Sequence, residues 1–143
     1  KLFNREAAVV AFLQGFVVLI IVALMFINSI NQGLSAQTAR TMAFATIVTA
    51  NIALILSNRS WAHTIVGTLR KPNKAFWWIL VVAMAALIVV IYVPQLSGLF
   101  AFSPLNPLNL FVSIGAGLAS IIWFEIYKAV KIFRSRKDSK IIE

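Results

Sequence analysis

The sequence predicts an all-α integral membrane protein with four transmembrane helices and both termini in the cytoplasm, and three observations carry that reading. Of its 143 residues 61% are hydrophobic and 12% charged, with a mean hydropathy of +0.91, whereas soluble domains are roughly half apolar and a quarter charged. The apolar residues gather in four stretches, each able to cross a hydrocarbon core of about 30 Å at about 1.5 Å per helical residue. The basic residues fall mainly in alternate gaps between those stretches.

The first stretch, residues 8–30, is almost wholly Val, Ile, Leu, Phe, Ala and Met, interrupted by Gln14, Gly15, Asn28 and Ser29. It follows the basic Lys1 to Arg5 as a signal peptide core would, but such cores run to only about 7–15 residues, so it reads as a spanning helix. A chain that starts in a basic stretch and without Met suggests a fragment. The second stretch, residues 38–57, is more polar, with Arg40, Thr41, Thr46, Thr49 and Asn51. Within it Ala39, Ala43, Thr46, Ala50, Ala53 and Ser57 recur at spacings of three and four, a stripe of small residues that lets a neighbouring backbone approach closely. This helix is expected inside the bundle. Ala11 with Gly15, and Ser113 with Gly117, repeat the small-residue spacing on the first and fourth helices. The third stretch, residues 75–93, is bulky around much of its circumference and is expected to face lipid. The fourth, residues 108–130, carries Glu125 and Lys128 in its last turns and leads into a basic cytoplasmic tail, 131–143. The whole of 1–143 reads as one membrane domain.

Charge sets the topology. Lys1 and Arg5 precede the first helix; Arg59, Arg70, Lys71 and Lys74 fill the second connection; Lys131, Arg134, Arg136, Lys137 and Lys140 follow the fourth, while Asn31 to Gln37 and Pro94 to Pro107 carry no charge. By the positive-inside rule the termini and the middle connection are cytoplasmic. Trp77, Trp78, Tyr92, Trp123 and Tyr127 stand near predicted helix ends, where amphipathic rings anchor at the headgroups. The net charge of +9 therefore reflects membrane topology rather than nucleic-acid binding.

Few residues are suited to chemistry. There is no cysteine, and the one histidine, His63, stands among Trp61 and basic residues, so thiolate metal sites, cysteine nucleophiles and a Ser-His-Asp triad have no support. No Gly-rich phosphate loop is present. Asn58-Arg59-Ser60 matches a glycosylation sequon, on the wrong side of the membrane for modification. No catalytic residue is assigned. Asn51, near the centre of the second helix, is costly in hydrocarbon unless partnered, and either an interhelical hydrogen bond or a transported cation would supply the partner; its carbonyl is a hard oxygen suited to Ca²⁺, Na⁺ or K⁺. Glu125 and Lys128 are spaced for a local ion pair at the interface, and Gln14 is expected to make a helix contact. The tail is expected to touch anionic headgroups.

Several short runs carry a family resemblance. Leu2-Phe3-Asn4-Arg5, Leu13-Gln14-Gly15, Ala39-Arg40-Thr41-Met42-Ala43-Phe44 and Ser57-Asn58-Arg59-Ser60 resemble the carboxy-terminal membrane region of P-type cation-transporting ATPases. So do Val90-Ile91-Tyr92-Val93-Pro94, Leu99-Phe100, Ser103-Pro104-Leu105 and Phe124-Glu125-Ile126-Tyr127-Lys128, all in the family's order. The resemblance implies that the four helices are the seventh to tenth of a pump with ten, a support bundle of the calcium-pump-like branch. The phosphorylated Asp-Lys-Thr-Gly-Thr motif is absent from this chain, so ATP and Mg²⁺ would be used by the rest of the parent pump. The partners implied are the lipid bilayer, the pump's remaining membrane helices and cytoplasmic domains, and the transported cation, in a plasma or cell inner membrane. In that family Asn51 aligns with a helix that can contribute a cation ligand, at a position where a Glu stands in the sarcoplasmic-reticulum type; a neutral residue there implies weaker Ca²⁺ binding. The alternative is a self-contained four-helix membrane protein, a small transporter or an accessory or anchor subunit. Against a small transporter, no stretch carries an ionisable residue near its centre.

Overall fold

The computed structural model describes residues 5–59 and 74–139, and all regular structure among them is helical. Lys1, Trp61, His63, Arg70, Lys71 and Lys140 lie outside the described residues. The helices are α1 (Arg5–Asn31), α2 (Ala36–Asn58), α3 (Lys74–Tyr92), α4 (Pro94–Leu99), α5 (Pro107–Ala119) and α6 (Ile122–Ser139). By length and composition α1, α2 and the combined Pro107–Arg134 stretch can cross a membrane; the apolar part of α3, Trp77–Tyr92, is shorter.

Each boundary has a local cause. Gly33 ends α1 with φ +78, and the Leu34 and Gly33 amides donate back to Ser29 O and Ile30 O at 3.1 and 2.9 Å, the paired bonds of a Schellman cap. Ser35 Oγ then accepts from the Thr38 amide at 3.1 Å and starts α2. Asn106 Oδ1 accepts from the Asn109 amide at 2.7 Å, with Pro107 at the first helical position of α5.

Two expectations about boundaries are corrected. The connection 94–107 holds a short helix, α4, because Pro94 cannot donate the hydrogen bond that would continue α3 but suits the start of a new helix. The fourth stretch, expected to be one helix over 108–130, is broken at Ser120 and Ile121 and then continues to Ser139. Ser120 Oγ donates to Gly117 O at 2.6 Å. The Phe124 amide donates to Ile121 O at 3.0 Å, a tightened turn, and Gly and Ser together are a usual cause of such a break.

α2 is the hub of the bundle, packing on α1, α3 and α5. Its small-residue stripe is buried at Ala39, Thr46, Ala50, Ala53 and Ser57, as the spacing predicts. The tightest contact is with α5: a Cβ on Gly117 would lie 2.7 Å from Thr46 O and from Thr49 Cβ, and 2.9 Å from Ala50 N. The buried hydroxyls of Thr46, Thr49 and Ser113 bond to the carbonyl four residues back in their own helices, each at 2.8 Å, so none is left unsatisfied in the apolar interior. The Ala11 and Gly15 pair does not pack in this way. Both are exposed, with open space around Gly15; α1 meets its neighbours through Val10, Gln14, Val18 and Ser29 instead.

A second cluster lies at the other end of α2, where Met42 and Ala45 pack with Leu87 and Ile91 of α3 and with Leu105. There the Ser103 amide donates to Thr41 Oγ1 at 3.0 Å and Tyr92 OH to Leu105 O at 2.8 Å. Much of α3 is exposed among the described residues: Trp77, Trp78, Ile79, Val81 and Val82 are all more than half exposed.

The Gly117 contact predicts a contrast. Gly117→Ala, which pushes a methyl group into backbone atoms, should lower the unfolding stability of the chain in detergent micelles by about 1–3 kcal/mol. Gly115→Ala, where a Cβ meets nothing within 4 Å, should leave it unchanged or slightly raised.

Candidate functional site

Two polar features stand out on this apolar scaffold: a buried charge cluster that ties helix ends together, and an exposed amide within the span of α2.

The cluster forms where α2 ends beside α6. The last carbonyls of a helix have no intrahelical donor, and the Lys128 ammonium fills that role, its Nζ donating to Ser57 O at 2.6 Å. Lys128 also pairs with Glu125 Oε1 at 2.9 Å, and the Ser57 hydroxyl donates to the same carboxylate oxygen. The expected Glu125–Lys128 pair is therefore present, but Lys128 is only 2% exposed. Helical spacing revealed the pair and not its docking onto α2. The ammonium also lies 5.2 Å from the Phe124 ring centre, a favourable cation–π distance.

Beside it, Gln14 of α1 and Asn58 of α2 exchange two hydrogen bonds, Nε2 to Oδ1 and Nδ2 to Oε1, both at 3.0 Å. This is the helix contact expected of Gln14, and it engages the side chain of the sequon asparagine. Further out, Tyr127 OH donates to Glu6 Oε1 at 2.9 Å and Lys131 Nζ donates to the same atom. The start of α1, the end of α2 and the middle of α6 thus meet at one end of the bundle. In the sequence Glu6 is only an acid near a helix start, and nothing in the spacing joins it to residues more than a hundred positions away. Trp123, expected at the interface, is half-buried, and its indole nitrogen is buried with no acceptor among the described residues.

That amide is Asn51, away from either end of the helix where Gln37 and Asn58 stand. It is exposed, on the side of α2 opposite the buried stripe, with Ile47 and Ile55 one turn away on either side and Arg40 further along the same face. The described residues give it no hydrogen bond. Its place is two turns from the end of α2, somewhat off centre, about 10 Å inside the helix end. An amide there requires a partner from outside these helices or a hydrated path, since hydrocarbon offers none. Among the described residues no group of three or more His, Cys, Asp or Glu side chains could hold a metal ion.

The buried cluster predicts that Lys128→Ala, which leaves Glu125 and the Ser57 carbonyl without their cation, destabilises the chain by about 3–5 kcal/mol. Lys131→Ala, at the exposed pair, should leave the denaturation midpoint within error; equal loss for both would contradict the assignment of the buried pair as the stronger tie.

Comparison with known proteins agrees with this architecture. Residues 1–130 match the family model described as cation transporting ATPase, C-terminus. No curated protein matches the chain. The match covers most of the chain, which therefore belongs to the family of cation-transporting ATPase carboxy-terminal regions.

Proposed function

We propose, from that membership, that the chain is the seventh to tenth membrane helices of an ATP-driven P-type pump of the calcium-transporting branch. It would act as the support bundle against which the ion-carrying helices move. In this reading α3 also crosses the bilayer, giving four spans, and the end holding Glu6, Lys128 and Lys131 is cytoplasmic, in agreement with the positive-inside rule. The membrane is a plasma or cell inner membrane. The parent protein uses ATP and Mg²⁺ in domains beyond this chain, and the bundle contributes no catalytic residue.

The observation that carries the functional part is the placement of Asn51. A polar amide two turns inside a membrane helix, on the face its own bundle leaves bare, fits a surface that the pump's other helices cover. There its side-chain oxygen would be one ligand of the transported cation. Being neutral, it adds no charge to the site, and a site with one carboxylate fewer holds a divalent cation less tightly than a fully acidic one.

In the complete pump, Asn51→Ala should raise the cation concentration needed for half-maximal phosphoenzyme formation by about tenfold or more, the worth of one polar contact to a charged group. Maximal phosphoenzyme should be retained. An unchanged cation requirement would remove Asn51 from the ion path while leaving the support role intact.

A further inference from the structure

The more exposed half of α3 holds a feature that the support role does not use. Lys74, the first residue of the helix, heads a shallow, open apolar depression lined by Trp77, Trp78 and Val81. On the other side of Trp78 a second shallow apolar depression is lined by Ile79, Val82, Ala83 and Ala86, and Lys74, Trp78, Val82 and Ala86 follow one another at four-residue spacing along one ridge. The two share Trp78, which is 70% exposed. α3 is held to the bundle at its other end, through Leu87 and Ile91, so this half presents one cation, two indoles and then only apolar surface along the helix axis.

That order of chemistry matches one class of molecule. A lone apolar groove in a membrane accepts any acyl chain, whereas a cation at its mouth adds selection for a negative headgroup, and indoles favour the level where headgroup and chain meet. Arg70 and Lys71 precede Lys74 in the sequence, and the net charge of +9 adds a field of the same sign. We propose that this face of α3 binds an anionic glycerophospholipid, its phosphate against the Lys74 ammonium and one acyl chain along Trp78, Val82 and Ala86. The proposal rests on the reading of α3 as a helix embedded in the bilayer.

Tryptophan quenching by brominated lipid tests it. The full chain carries Trp61→Phe and Trp123→Phe, so that Trp77 and Trp78 are its fluorophores, and is placed in phosphatidylcholine vesicles containing a minor share of phosphatidylglycerol. Bromine is carried on one lipid or the other. Brominated phosphatidylglycerol should quench about fivefold more strongly per molecule than brominated phosphatidylcholine. Lys74→Gln should bring the two lipids towards equality, and Lys74→Arg should retain the preference. Equal quenching by both lipids before any change at Lys74 would overturn the anionic site while leaving α3 in the membrane. Absence of quenching by either lipid would overturn the site together with the four-span reading.

Discussion

The close approach of α5 to α2 at Gly117 organises this bundle. With no side chain at that position, α5 lies against the backbone of Thr46 to Ala50 at a distance no Cβ could share, and the small residues of α2 extend the contact along the same stripe. In lipid, helices gain little from hiding apolar surface, so close backbone packing and satisfied polar groups have to hold them together. The hydroxyls buried in this seam bond within their own helices, which leaves the seam free of unmet donors. The break after Gly117, at Ser120 and Ile121, then separates the part of the fourth stretch that packs in the seam from the part that carries the charges.

From that seam follows the division of α2 into two faces. One is committed to α1, α3 and α5; the other, with Ile47, Asn51 and Ile55, is covered by none of the described residues. The charge cluster at the end of α2 keeps this division in register. Lys128 and Glu125 grip the last turn of α2 through Ser57, and Gln14 of α1 grips the next residue, Asn58. Rotation of α2 would break both ties at once.

Much of this was legible in the sequence because the membrane makes strong demands. Length and apolar content located α1 and α2 to within a few residues and the start of the fourth stretch to one, though not its end, and the spacing of Ala39, Thr46, Ala50, Ala53 and Ser57 identified the buried side of α2. The same spacing misled at Ala11 and Gly15, since a small-residue pair permits close packing without supplying a partner. Periodicity read the fourth stretch as continuous because a Ser-centred break leaves the hydropathy unchanged, and it missed α4 because six residues opening on a proline are too short to show a helical period. The ties from Gln14 to Asn58, from Glu6 to Lys131 and from Lys128 to Ser57 join distant parts of the chain, so no local pattern encodes them. Asn51 stood out in the sequence as a costly amide, yet its facing away from its own bundle emerged only from the packing of the helices.

The account turns on whether the bare face of α2 is a protein contact or a lipid contact. A photoreactive p-benzoylphenylalanine in place of Asn51, in the full-length protein within its membrane, reports this directly through the identity of the adduct. The account predicts crosslinking to polypeptide outside residues 1–143. Adducts formed only with lipid would contradict it.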